Sequence, residues 1–171
     1  MSGNLSLSGD ERITLGWIGR LILNTNCERK YHSMEANMEG GCTCRQIRYR
    51  LIGAPLIVHA CHCRWCQRET GTAHALNALY EAERVMHTAG EPEIVVTPSA
   101  SGKGQKIARC PTCRVAVWSN YPQAGPAVRF VRVGTMDNPD LCPPDIHIFT
   151  SSKQPWLRRS GPVANPKWSG D

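Results

Sequence analysis

Long apolar runs are missing from this chain. No stretch of about 18 apolar residues occurs, so no transmembrane helix is expected. The N-terminus lacks a basic segment followed by a long apolar one. Its best apolar piece, "LGWIGRLIL", is broken by Arg20 and preceded by acidic residues, and it does not read as a secretory signal. Aromatic residues make up only 6% of the chain, and the apolar fraction of 41% is slightly low. The 171 residues still suffice for one domain, hardly for two, and a core of this size needs no staples. Helix signals are sparse and no internal repeat is visible. Basic residues are in excess, with a net charge of +6, but they are scattered beyond small pairs such as Arg158 and Arg159. A solvated basic surface accounts for them better than a nucleic-acid groove, so no nucleic-acid partner is expected.

Cysteine, by contrast, is abundant. Nine cysteines in a short secreted chain would suggest a disulfide framework. This chain shows no secretory signal, and an odd count leaves a thiol over. The spacing is Cys-x-Cys at Cys42 and Cys44, a triplet at Cys61, Cys63 and Cys66, and Cys-x-x-Cys at Cys110 and Cys113. Cysteines so close in sequence pair poorly with each other but can place two sulfurs on one ion. Metal in a reducing compartment, the cytoplasm, is therefore expected. Zinc takes four ligands in structural sites and often three plus an open position in catalytic ones. Seven ligands divide into four, from Cys42, Cys44, Cys110 and Cys113, and three, from Cys61, Cys63 and Cys66. The four-cysteine group closes a long loop, where a metal clip gains most in chain entropy. Other divisions remain open. All seven could serve structural zinc with His62 or another histidine as the eighth ligand, or Cys63 and Cys66 could form a redox dithiol. Cys27 and Cys142 fall outside both groups. Seven thiolates and two divalent ions would also lower the net charge by three.

Short strands separated by glycine and proline dominate from Gly40 onward, so the chain is expected to be mainly β. Strands are expected over Gln46–Ile52, Leu56–Ala60, Thr72–Leu79, Glu93–Pro98, Val115–Tyr121, Val128–Met136 and Ile146–Ser151. A flexible turn is expected over Ser99–Lys106 and a short helix near Tyr80–Val85. Residues 1–37 read as a loosely ordered extension, with a short helix or strand around Trp17–Leu23. Met34 or Met38 is a candidate functional start codon, because the domain signal begins at Gly40. Residues 38–160 read as the domain, and 161–171 as a flexible tail.

Four stretches carry a resemblance to a known family. They are "GGCTCRQIRY" (Gly40–Tyr49), "CHCRWCQRETG" (Cys61–Gly71), "CPTC" (Cys110–Cys113) and "VGTMDNPDLCPPDIHIFTSSKQPW" (Val133–Trp156). In this order they resemble the motifs of the glutathione-dependent formaldehyde-activating enzymes, a family that includes the domain of centromere protein V. The resemblance runs from about Gly40 to Trp156. It implies an Mss4-like fold, a mainly β domain of small twisted antiparallel sheets stabilised by zinc. It implies two zinc ions, one structural on Cys42, Cys44, Cys110 and Cys113 and one catalytic on Cys61, Cys63 and Cys66. It implies a carbon–sulfur lyase that reversibly forms S-hydroxymethylglutathione from glutathione and formaldehyde. The family usually has glycine after each of the two structural pairs, where this chain has Arg45 and Arg114. Arginine there would reach the left-handed conformation at a cost of about 1 kcal/mol.

A zinc ion on three thiolates carries a formal negative charge, so generating hydroxide is not its obvious task. A soft, open ion suits a substrate thiol such as glutathione. The candidates for moving the proton are His62, Glu69 and Asp137. His62 reads more readily as a residue behind the ligands, because a sequence neighbour often points away from the metal. Thr70 is expected to face the pocket with Glu69. Asp137 also reads as a turn former, and His147 as a half-buried histidine. Arg64 and Arg68 are candidates for glutathione carboxylates, and Trp118 and Trp156 are expected in the core. Two other classes compete with the enzyme: a non-catalytic zinc-stabilised protein-binding module, and a basic chromatin-associated factor.

Overall fold

The computed structural model describes residues 37–99 and 101–158. The expectations for Trp17–Leu23, for most of the N-terminal extension, for Cys27 and for the tail beyond residue 161 lie outside those residues. The described chain is mainly β, with ten strands and one α-helix among its described residues. Strands β1 (Met38–Gly41), β2 (Arg48–Leu51) and β5 (Val85–Ala89) form a three-stranded sheet in the order β1-β2-β5. Strands β3 (Ile57–Cys61), β4 (Ala75–Glu81), β6 (Glu93–Thr97), β7 (Gln105–Arg109), β8 (Ala116–Asn120), β9 (Val128–Arg132) and β10 (Ile146–Ile148) form a larger one. Its order is β10-β3-β4-β9-β8-β7-β6. Every pairing is antiparallel except β10 against β3.

Strand periodicity decides what each face of the larger sheet does. Cross-strand partners share a face and neighbours along a strand alternate. Val58, Ala78, Val131 and Trp118 lie in one register row. They pack with Tyr49, Leu51, Met38 and Val85 of the small sheet into one buried apolar cluster. Tyr49 meets Trp118 edge to face, with ring centroids 6.0 Å apart, and its hydroxyl bonds Thr135 Oγ1 at 2.8 Å. Each fully buried side chain of this size contributes about 1.5–3 kcal/mol. The small sheet thus caps one face of the large one. The other face carries the neighbouring row, His59, Asn77 and Arg132, followed by Cys61 opposite Ala75.

The structure corrects several local expectations. The helix expected near Tyr80–Val85 is only a 3-10 turn, Ala82–Arg84, because Tyr80 and Glu81 finish β4. The turn expected over Ser99–Lys106 ends early, since β7 begins at Gln105. Strands β9 and β10 stop at Arg132 and Ile148, and each continues into a one-turn 3-10 helix. Trp118 is in the core as expected, but Trp156 is 55% exposed. Strands β1, β5 and β7 and the helix α1 (Arg64–Thr70) were not expected.

Glycine in β1 has a steric cause. A Cβ at Gly41 would sit 2.1 Å from the Ile47 carbonyl oxygen, a backbone atom that cannot swing aside. Gly71, with φ +66, ends α1 in open space. Gly41→Ala is therefore expected to lower stability by roughly 2 kcal/mol or more, against about 1 kcal/mol for Gly71→Ala. Urea denaturation of both variants checks the order, and equal losses would contradict it.

Candidate metal centres and active site

Two hairpin turns build the first cluster. Cys42 follows β1, and its amide donates to the Ile47 carbonyl at 3.1 Å. Cys110 follows β7, and its amide donates to the Val115 carbonyl at 3.0 Å. The turn residues Arg45 and Arg114 adopt φ of 63° and 64°, the left-handed conformation that glycine takes more easily. Their amides bond the Cys42 and Cys110 carbonyls. The Cys42, Cys44, Cys110 and Cys113 sulfurs all lie within 4.8 Å of one another. Cys44 Sγ is 3.5 Å from Cys42 Sγ and 3.6 Å from Cys110 Sγ. The Ile47 amide donates to Cys42 Sγ at 3.2 Å. Amide bonds from Cys44 and Val115 pull the Cys113 thiol down to about 6. Amides aimed at sulfur favour thiolate, and packed thiolates require a cation, so this donor set fits zinc.

The second cluster sits where β3 runs into α1. Cys61 ends the strand, and Cys63 caps the helix, its sulfur accepting from the Cys66 amide at 3.4 Å. The cap explains how "RWCQRET" forms a helix without a Ser, Thr, Asp or Asn before it. The Cys61, Cys63 and Cys66 sulfurs lie within 4.8 Å of one another and are all buried. The thiol bond from Cys66 draws Cys61 down to about 6, and Cys66 is pushed up by the same contact. Ala75 and Ile148 pack around the triplet. Three soft donors on a strand end and a helix turn also fit zinc. No other Cys, His, Asp or Glu joins this group among the described residues.

His62 belongs to neither cluster. It follows Cys61, so its side chain takes the opposite side of the sheet. There it is fully buried, with Nε2 2.9 Å from His147 Nδ1 and its ring 5.1 Å from that of His74. Burial, then the nearby His74 and His147, hold His62 below the usual histidine range. Asp137 lies by the small sheet, where both its oxygens accept from Arg48, whose hydrogen bonds hold the carboxyl below its usual range. Glu69 and Thr70 line a cavity of about 780 Å³ between α1, β8 and the segment after β9. Arg109 and Arg114, which flank the four-cysteine turn, also line it, and Arg109 donates to Glu69 Oε1. Arg64, Arg68 and Trp156 line a second cavity of about 670 Å³ with Gln154.

Three residues that matter here were not singled out from the sequence. Gln67 is buried and ties the helix down, donating to the His62 carbonyl at 2.6 Å and to the Ser152 carbonyl at 3.0 Å. Arg132 and Asn77 share the face of Cys61. The spacing of Phe130 and Arg132 along β9 was the available signal, since it places a charge on an inward position.

Residues 37–152 match the family described as glutathione-dependent formaldehyde-activating enzyme. No curated protein matches the chain. A solved structure of a Rhodobacter sphaeroides protein superimposes with a TM-score of 0.47 at 17% identity, covering 64% of this chain and 99% of that one.

The left-handed arginines yield a test. Arg45→Gly relieves about 1–2 kcal/mol of conformational cost and gives back part of it as backbone entropy. A net gain of about 0.5 kcal/mol is expected in urea denaturation of the zinc-loaded protein. A loss of stability would contradict the reading of that turn.

Proposed function

The chain belongs to the glutathione-dependent formaldehyde-activating enzyme family, and on that premise we propose that it is a zinc-dependent carbon–sulfur lyase acting on glutathione adducts. Cys61, Cys63 and Cys66 would hold the working ion, and Cys42, Cys44, Cys110 and Cys113 a structural one, two zinc ions per chain. The ligand count carries the reading: four sulfurs close one cluster, and three stand alone in the other. In the forward direction the glutathione sulfur bonds to the formaldehyde carbon. The thiol gives up its proton, the carbonyl oxygen gains one, and S-hydroxymethylglutathione results. The reverse direction cleaves the same C–S bond. Zinc held by these three thiolates would supply a soft cation that favours the ionised form of a substrate thiol.

The chain's own residues supply the rest. Cys63 presents its sulfur as helix cap, so the ligand geometry and the start of α1 are one feature. Gln67 fixes the helix against β3 and the segment after β10. Glu69, its Oε1 held by Arg109, is the carboxylate best placed to exchange a proton in the larger cavity. Arg64 and Arg68, on the same helix as Cys66, are suited to the glutathione carboxylates. His62 and Asp137 are not given a proton-transfer role, because each faces away from the triplet in contacts of its own.

Zinc analysis of Cys63→Ser and Cys110→Ser, with isotopically labelled formaldehyde exchanging onto glutathione followed by NMR, tests the assignment. Wild type is expected to hold two zinc ions and accelerate exchange. Cys63→Ser should stay folded with one ion and lose at least about 100-fold in rate, since the reacting thiol loses its site. Cys110→Ser should fail to fold. Full exchange activity in Cys63→Ser would overturn the lyase assignment. A wild type that binds two ions without accelerating exchange would favour a protein-binding module.

A further inference from the structure

We propose that Arg132 is the fixed counter-charge of the Cys61–Cys63–Cys66 centre, held in place by Asn77 and Ser119. The inference rests on the reading that this triplet binds a divalent ion. The register of β3, β4 and β9 sets His59, Asn77 and Arg132 side by side, and Cys61 lies two residues beyond His59 on the same face. Arg132 is 6% exposed. One terminal nitrogen donates to Asn77 Oδ1 and the other to Ser119 Oγ at 3.1 Å, while the buried Nε meets no hydrogen-bond partner. Both partners are neutral. Among the described residues no carboxylate forms an ion pair with Arg132.

A buried cation without an anion is costly and must be compensated. Three thiolates around a divalent ion leave one net negative charge, which one guanidinium cancels. Asn77 is the hinge of the arrangement. Its Oδ1 accepts from Arg132, so its Nδ2 donates to His59 Nε2 at 3.0 Å. An aspartate at position 77 would make the same bond to Arg132 and cancel the charge locally. Asparagine orients the guanidinium and leaves its charge for the thiolates.

The experiment is a chelator competition for zinc on the full chain carrying Arg132→Gln, Arg132→Lys or Asn77→Asp, with total zinc monitoring the four-cysteine site as a check on folding. Arg132→Gln is expected to weaken the triplet site by about tenfold or more, the range seen when groups behind metal ligands are changed. Asn77→Asp should weaken it similarly without touching the arginine, and it decides the matter if Arg132→Gln does not fold. Arg132→Lys, which keeps the charge, should stay within about threefold of wild type. Equal losses in the Lys and Gln variants would mean that shape, not charge, is what Arg132 provides. Affinity unchanged in Arg132→Gln and Asn77→Asp would also overturn the inference while leaving the zinc assignment standing. A wild-type chain with one zinc site only would overturn both.

Discussion

Four cysteine sulfurs packed within 4.8 Å of one another must be reconciled before the fold can close. They come from two turns, and Cys44 and Cys110 are 66 residues apart. Thiolates this close repel one another unless a cation lies among them, and thiols there would bury weak donors with poor partners. An ion bound there would relieve the repulsion and join the β1–β2 turn of the small sheet to the β7–β8 turn of the large one. Both sheets share one apolar cluster, so a metal clip at these turns and the core would fix the same relative placement. Tyr49 against Trp118 and the sulfurs of Cys42 and Cys110 are two ends of one interface.

The strand alternation that builds this core also separates two chemistries. At the end of β3, Cys61 faces one side and His62 the other. The cysteine triplet therefore has α1, Ala75 and Ile148 around it, and the buried His62 lies across the sheet with the half-buried His74 and the exposed His147. A one-residue slip in β3 would exchange the two sides. The face that carries the three cysteines also carries the buried Arg132, and His62 sits behind it.

Much of this was legible in the chain, and for physical reasons. Cysteine spacings reflect turn geometry, so both clusters could be grouped before any fold was known. Runs such as "VAVWSNY" and "EIVVTP" alternate as strands do. The left-handed turns were readable because Arg45 and Arg114 follow the cysteine pairs where a knuckle reverses. Less was legible where one residue served two ends. Helix α1 carries no usual cap signal, because its cap is the sulfur of Cys63. Strand β1 escaped because its glycines, poor strand formers, are required by the close approach of Ile47 and Tyr49. Strand β7 follows the glycine-rich turn, and only Ile107 and Ala108 mark its apolar interior. Trp156 looked like core and is exposed, since the segment after β10 closes over α1 through Gln154 and Ser152 and not through the indole.

The central claim is that one cluster is closed by four sulfurs and the other is open with three. Zinc-edge X-ray absorption on the zinc-loaded protein reads the sulfur count directly. The account predicts a mean of about 3.5 sulfurs per zinc, rising to about 4 when glutathione is added. A mean that glutathione leaves unchanged would contradict it, because the triplet site would then have no position for a substrate thiol.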